Sequence, residues 1–216
     1  MKSSRKQWRG PIALAAAALL VVSVAVRAGP NEDYNAGAEA YRTGDMVAAI
    51  NTLKKAADAN HVRAQTLLAL IYDLSDENEL AVKYYRMAAN QGDAEGEFGL
   101  AGMYLTGEGV PKDRKEAHVW MRKAAEKGHV QAINSVAQLY ITGTATEVTD
   151  QTGNDAALKW IQAAANQNYE PAMAALAEAY QKGNLGLAPD PAQAKAWQDK
   201  IKALTARGKK DEKKKK

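Results

Sequence analysis

The chain has 216 residues, 46% of them hydrophobic, which is enough to bury a core and excludes a chain that is disordered over its bulk. It contains no cysteine, which excludes disulfides, thiolate zinc sites, thiol catalysis and a lipid-modified N-terminal cysteine. The net charge of +4 arises at the two ends: residues 1–28 hold five cations and no acid, residues 207–216 hold seven cations and two acids, and residues 29–206 sum to −6. A basic face for nucleic acid is therefore not predicted on the body of the chain.

The first predicted element is an export signal over residues 1–28. Four cations precede an apolar run of 14 residues, 12–25, which is broken only by Ser23. The run is shorter than the ~20 residues of a membrane-spanning helix, and small residues suited to signal peptidase cleavage end at Ala25 and at Ala28. We predict cleavage after one of these alanines and a mature protein that is periplasmic or secreted. An uncleaved signal anchor is the alternative.

A repeated pattern occupies the rest of the chain, and its first half ends in a tyrosine. In the clearest copy Gly96 is followed by Leu100, Ala101 and Tyr104. Copies with the same spacing end at Tyr72, Tyr140 and Tyr180, and a degenerate first copy ends at Tyr41 with Ala38 in the small slot. Because apolar residues three and four positions apart lie on one face of a helix, each copy predicts an amphipathic helix.

The second half of each repeat predicts another helix, built around alanines and an aromatic residue. In the clearest copy Ala117 and Trp120 precede Ala124 and Ala125, and Gly128 ends the pattern. Small residues let two helices approach closely, and aromatic residues fill the space between hairpins, so stacked neighbours form the core. We predict five helical hairpins, ten helices in all, over residues 29–206.

Residues that start and stop helices keep the same register. Residues that tolerate a left-handed turn stand where second helices should end, at Asn60, Gly92, Gly128 and Asn168. Aspartates suited to N-capping precede the second helices at Asp45, Asp113 and Asp190. Glu116, three residues after Asp113, resembles the second member of a capping box.

Two segments are predicted to lie outside the helices. The polar insertion over residues 142–154 predicts a long loop. The lysine-rich segment 207–216 predicts a disordered tail. Its role is solubility or, as a weaker alternative, attraction to anionic lipid or acidic polymer.

The copy over residues 92–128 resembles the Sel-1-like repeat family, a branch of the tetratricopeptide-type helical repeats. It matches the family pattern in both helices and in the loop 107–113 between them. The copy from Ala172 resembles it with a loop variant and the copy from Ala132 in its helices, whereas the copies ending at Tyr41 and Tyr72 look more like plain tetratricopeptide repeats. The resemblance covers about residues 31–205 and implies an all-α, right-handed α-solenoid whose concave face binds proteins. Such repeats often occur in bacterial envelope proteins, which suits the export signal.

The three histidines are interpreted as structural residues. His61 and His129 fill one slot, which other copies fill with Asp93 and Tyr169 and which we interpret as an exposed turn, and His118 lies on a second-half helix. No two histidines have the helical spacing that places both imidazoles on one metal ion, and neither serine after residue 28 begins a hydrolase motif. We therefore predict no metal site, no small-molecule cofactor and no catalysis.

The predicted function is the binding of a protein or peptide by a non-enzymatic scaffold, with membrane contact only through an uncleaved N-terminal segment. Phe98 and Arg63 are the favoured contacts because aromatic and arginine side chains are over-represented among binding hot spots. In related helical repeats, first-helix residues outside the packing slots line the concave face. By that register the candidates are Asn35, Glu39, Arg42, Arg63, Thr66, Asp73, Glu95, Phe98, Asn134, Gln138, Glu178 and Gln181. The alternative is a cell-wall-ligand binder or a hydrolase of peptidoglycan-related compounds, which needs a polar cluster that converges in a pocket.

Overall fold

The computed structural model describes residues 29–147, 149 and 153–214, which form an all-helical array. The predicted export signal, residues 1–28, lies outside the described residues. Five hairpins follow one another: α1 (Pro30–Thr43) with α2 (Met46–Asp58), α3 (Val62–Asp73) with α4 (Asn78–Asn90), α5 (Ala94–Thr106) with α6 (Arg114–Glu126), α7 (Val130–Ile141) with α8 (Asn154–Asn166), and α9 (Glu170–Lys182) with α10 (Pro191–Lys214). The predicted all-α solenoid of five hairpins is confirmed.

Alanines in the predicted small slots form the contacts between helices. Ala69, Ala101 and Ala137 have no exposed surface, and Ala177 is 4% exposed. The five tyrosines that end the first halves are half-buried, and those of the first four hairpins pack at the edges of the core. Because Trp120 packs against the core on both sides of it, the buried layer is continuous along the array.

The first hairpin departs from the predicted register by one residue. We placed Ala38 in its small slot, but the structure buries Gly37 and leaves Ala38 half-exposed. A Cβ atom on Gly37 would lie 2.6 Å from Cγ of Leu53, so the residue that lets α1 approach α2 is the glycine.

The predicted caps are confirmed with one difference. Asp45 accepts a hydrogen bond from the backbone of Ala48, and Asp113 and Asp190 each cap the first turn of their helix in the same way. The predicted turn residues all have positive φ, 62° at Asn60, 81° at Gly92, 88° at Gly128 and 65° at Asn168. Glu116, however, does not complete a capping box, because its carboxylate accepts from Trp120 Nε1 at 2.7 Å.

The array is curved, with the odd-numbered helices on its inner side. Between helices that are not consecutive in the chain, the main contacts of the described structure join odd-numbered helices: α1 with α3, α3 with α5, and α7 with α9. A stack that is narrower on one side places those helices on its concave surface, which we call the inner face. The pair α5 and α7 lacks contact of that extent, so the inner face opens between them.

The C-terminal segment differs from the sequence-based prediction. We predicted a disordered tail from residue 207, whereas α10 continues through Lys214. Lysine, arginine and glutamate are good helix formers, and Gly208 is the sole helix-weakening residue of this stretch. Within the part of the chain that the structure describes, no helix combines the length and apolar character needed to cross a bilayer.

Two glycines of α5 give a matched test of the close packing. A methyl group on Gly99 would overlap the ring of Tyr85, which is 5% exposed and donates its hydroxyl proton to Asp73, so the ring has little room to move. At Gly102 a methyl group would meet no described atom within 4 Å. We expect Gly99→Ala to lower the free energy of unfolding by about 1–3 kcal/mol.

The control, Gly102→Ala, should raise the free energy of unfolding by about 0.5–1 kcal/mol, because alanine is the better helix former. Urea unfolding followed by circular dichroism measures both values. Equal stability of the two variants would contradict the packing of Tyr85 on Gly99.

Candidate functional site

The residue that caps each first helix also contacts the preceding first helix. His61 Nδ1 accepts from the backbone N–H of Ala64, its Nε2 lies 3.0 Å from Asn31 Oδ1, and its ring stacks on Tyr34 with centroids 4.7 Å apart. Because Nδ1 accepts, Nε2 carries the proton and donates to Asn31. The His61 side chain therefore caps α3 and also links α3 to α1.

The same arrangement recurs two hairpins later around His129. Its Nδ1 accepts from the backbone of Ala132, its Nε2 lies 3.0 Å from Glu95, and its ring stacks on Phe98 at 4.6 Å. Our interpretation of this slot as an exposed turn is therefore wrong, because the His129 side chain is 8% exposed. Glu95 and Phe98, which we predicted to bind a partner, are engaged in this contact between hairpins.

The two remaining first-helix caps make polar versions of the contact. Asp93 caps α5 and accepts a proton from the Thr66 hydroxyl at 2.8 Å. Tyr169, which precedes α9, donates its hydroxyl proton to Gln138 at 2.9 Å. Thr66 and Gln138 thus lie on the inner face, but part of their hydrogen-bonding capacity is used within the array.

Three of the other candidates form ion pairs at the two ends of the array. Glu39 and Arg42 pair within α1, and Glu178 pairs with Lys182 within α9, all with side chains at least half exposed. Asn35 and Gln181 are exposed beside them. Exposed pairs of this kind contribute little to stability, so these residues are free to exchange partners.

Three candidates come together in a groove of about 350 Å³ over α3 and α5. Arg63, Thr66 and Glu95 line it, together with Leu67 and the 38% exposed Leu70. Asp73, another candidate, lies apart from this groove and accepts from Tyr85; burial raises its pKa, and the nearby charge of Glu108 adds to that shift. The groove is shallow, amphipathic and of mixed charge.

A second cavity, of about 380 Å³, lies where α5 and α7 separate. The candidates Asn134 and Gln138 line it on α7, and Leu105 lines it on α5. Its floor is formed by two residues of α6, His118 and Met121, which our first-helix register could not include. At the rim, Arg114 pairs with Glu147 of the insertion at 3.2 Å.

His118 is the unexpected member of this cavity. It is 4% exposed, and its Nε2 has no hydrogen-bond partner among the described residues. Burial lowers the pKa of the imidazole, and the charge of Arg122 lowers it further, so the ring is neutral at pH 7. We interpreted His118 as structural, yet it contributes no hydrogen bond to the described fold from that nitrogen.

Comparison of equivalent slots could have identified this residue. His118 follows the alanine that opens the second-half pattern, and the same slot holds Ile50, Val82 and Leu158 in the first, second and fourth hairpins. The fifth hairpin has Lys195 in this slot, so among the first four hairpins His118 alone departs from the aliphatic pattern, and such departures concentrate at functional sites.

Two residues of the cavity, Ser135 and His118, are of the types that a hydrolytic site uses. No hydrogen bond joins them in the described structure. A serine nucleophile needs a base within hydrogen-bonding reach. The described residues also contain no group of three or more histidine or carboxylate side chains that could hold a metal ion.

The helical hairpins, the capping contacts and the inner face define a helical-repeat solenoid. A family model described as Sel1 repeat matches residues 62–93, 94–129, 130–169 and 170–197. The chain belongs to the Sel1 repeat family. The match includes residues 62–93, so our description of the copy ending at Tyr72 as a plain tetratricopeptide repeat is wrong.

Relatives and solved structures agree with this family. The chain is 32% identical over 145 residues to an uncharacterized protein of Neisseria meningitidis and 33% identical over 118 residues to the chitin synthase regulator SKT5 of Saccharomyces cerevisiae. These matches cover 66% and 51% of this chain, but 29% and 16% of those proteins, so the chain spans less than a third of either relative.

Two crystal structures have the same fold. One is a protective antigen of uropathogenic Escherichia coli strains, with a TM-score of 0.66, 27% identity, and coverage of 81% of this chain and 38% of that one. The other is a Sel1 repeat protein from Oxalobacter formigenes, with a TM-score of 0.64, 27% identity, and coverage of 81% and 73%.

The buried imidazole gives a prediction about stability and pH. Replacing His118 by leucine, the residue of the equivalent slot at Leu158, removes an unpaired buried nitrogen and restores apolar packing. We expect His118→Leu to raise the free energy of unfolding by about 1–2 kcal/mol at pH 7.5.

The difference in the free energy of unfolding between His118→Leu and wild type should increase as pH falls below about 6.5, the ordinary pKa of histidine. Below that pH the unfolded chain binds a proton at His118, whereas the folded imidazole, whose pKa is lowered, stays neutral. The wild-type protein therefore loses stability as pH falls, and the variant does not lose this part. Urea unfolding at pH 7.5, 6.0 and 5.0 measures the difference. A variant less stable than wild type, or a difference that does not change with pH, would contradict this description of His118.

Proposed function

We propose that the inner face binds a protein or peptide and that the chain acts as a scaffold without turning over a substrate. The observation that carries this proposal is the pair of exposed leucines on the inner face. Leu70 lies in the groove over α3 and α5, and Leu105 lies in the cavity between α5 and α7, each 38% exposed. Apolar side chains that line a groove in water are typical of surfaces that a partner covers.

The charges of the inner face support a peptide over a nucleic acid. Arg63 lies in one groove with Asp93 and Glu95, and Arg114 at the rim of the other is paired with Glu147. A phosphate backbone requires cations that are not already neutralised. A folded protein or a peptide, which carries both signs of charge, matches such a surface better.

The relatives support a role exercised through a partner. The yeast relative is by name a regulator of chitin synthase. A corresponding role for this chain, in which it binds another protein and changes what that protein does, needs an accessible surface and no catalytic centre.

We also propose that the mature chain is exported, in the periplasm or as a secreted protein. Residues 1–28, with four cations before the apolar run and small residues at Ala25 and Ala28, support this location. If the segment stays uncleaved, it anchors the same scaffold at the membrane. The inner face has the same chemistry in both cases.

Site-specific photocrosslinking in cells tests the binding face. A photoreactive amino acid is placed at Arg63 on the inner face and, as matched controls, at Lys83 and Lys159, which are exposed on α4 and α8. We expect discrete crosslinked products from the inner position and none of the same size from the controls, because a partner in the groove lies within reach of Arg63.

Mass spectrometry of the excised product identifies the partner. Equal crosslinking from inner and outer positions, or none from the inner position in cells that express the protein at its natural level, would contradict binding at the inner face. Release of a product from cell-wall fragments by the purified chain would instead favour the hydrolase alternative.

A further inference from the structure

The cavity between α5 and α7 has a property that the groove over α3 and α5 lacks. Two residues that line it each have a buried polar atom without a hydrogen-bond partner in the described structure, Nε2 of His118 and Oδ1 of Asn134. A buried polar atom left unpaired costs stability, so sites of this kind are usually completed by another group. The array does not need a polar atom at His118, because its slot is aliphatic in three other hairpins.

The two atoms restrict the ligand that would satisfy both. Oδ1 of Asn134 is an acceptor, so the ligand must bring a donor to it. Nε2 of the neutral His118 serves as a donor when Nδ1 holds the lone pair, so the ligand must also present an acceptor. A hydroxyl group does both with one oxygen atom, because it donates its single proton and accepts at a lone pair.

The two unpaired atoms disfavour an ionised ligand group. Arg114 at the rim is already paired with Glu147, so neither residue offers an unpaired charge to a ligand. An ammonium group would place its donors against the N–H of His118 Nε2, which is repulsive. A carboxylate would place an acceptor against the unprotonated oxygen of Asn134, which is repulsive. The ligand group at the floor is therefore neutral.

The apolar residues that line the cavity favour a ligand in which this neutral group is attached to an apolar moiety. Leu105, Met121 and Leu139 also line the cavity. At about 380 Å³ the volume lies at the low end of the ~300–1,000 Å³ usual for ligand pockets, which fits one large side chain with its backbone. Among peptide side chains, an aromatic ring bearing a hydroxyl has both the apolar body and the polar tip.

We propose that this cavity receives a tyrosine side chain of the partner, with the ring against Leu105, Met121 and Leu139 and the hydroxyl between His118 Nε2 and Asn134 Oδ1. The inference rests on the proposed function, since it assigns to the partner the residue that occupies the inner face. A phenylalanine in the same position fills the walls but leaves both polar atoms unpaired. The cavity therefore selects for the hydroxyl more than for the ring.

Nuclear magnetic resonance titration of the full chain tests this selection directly. The probes are N-acetyl-tyrosine amide and N-acetyl-phenylalanine amide, with N-acetyl-glutamine amide as a neutral probe that lacks the ring. We expect the tyrosine compound to shift the signals of residues around His118 and Asn134 and to bind about tenfold more tightly than the phenylalanine compound. The glutamine compound should bind more weakly than the tyrosine compound.

Two variants separate the role of His118 from general damage. His118→Leu should remove the preference for tyrosine over phenylalanine, and because we expect this variant to be more stable than wild type, the loss cannot be attributed to unfolding. Leu70→Ala, in the groove over α3 and α5, should keep the preference. Equal binding of the tyrosine and phenylalanine compounds by wild type, shifts located away from the cavity, or an unchanged preference in His118→Leu would each overturn the proposal.

Failure of this inference and failure of the proposed function give different results. A partner crosslinked at Arg63 together with no tyrosine preference at the cavity overturns the tyrosine assignment and leaves the binding face. A tyrosine preference at the cavity with no crosslinked partner overturns the scaffold role and leaves the cavity as a binding site.

Discussion

The array depends on how closely the helix backbones approach one another at the small-residue slots. More than half of the buried apolar residues are alanines, which contribute a single methyl group each to the contact. Alanine buries little area, so the stabilisation comes from many close contacts repeated along the stack and not from a thick core. The spacing between successive hairpins is consequently fixed by residues that have no freedom to compensate for added volume.

This constraint explains why contacts between hairpins use the starts of the first helices. Because alanine fills the contacts between helices, polar links between successive first helices are made by the residue that precedes each first helix from α3 onward. The histidine caps stack on Tyr34 and Phe98, whereas Asp93 and Tyr169 form hydrogen bonds, so different chemistries serve one geometric role. Where α5 and α7 lie farther apart, the same array leaves room for a cavity whose floor is His118.

Much of this fold could be predicted from the sequence because burial in a solenoid is local. Each alanine or tyrosine slot contacts its own hairpin or the next one, so the spacing of Ala101, Tyr104 and Ala124 already specifies the packing. The α10 extension was missed because the lysine-rich composition favoured a charged, solvated tail, although lysine, arginine and glutamate are also good helix formers. The one-residue shift at Gly37 was missed because the first copy was aligned with the others by its tyrosine, Tyr41, and not by its glycine.

The candidate site could be predicted in part. Arg63, Asn134 and Gln138, chosen by a first-helix register, line the two grooves, because a helical face follows from position alone; that they bind a partner stays a prediction. The register could not show that Phe98 and Glu95 contact His129, because these residues are more than thirty positions away from it in the chain. The cavity itself depends on the separation of α5 from α7, which results from the packing of both hairpins and has no signature in either one.

Two alanines of α9 test most directly whether close packing at the buried small-residue slots stabilises the array. Ala172 has no exposed surface, whereas Ala174, two residues later in the same helix, is exposed. The free energy of unfolding, measured with urea for Ala172→Leu and Ala174→Leu, should fall by about 2 kcal/mol or more in the first variant and stay nearly constant in the second. If Ala172→Leu were as stable as Ala174→Leu, close contact at these slots would not be what fixes the stacking of the hairpins.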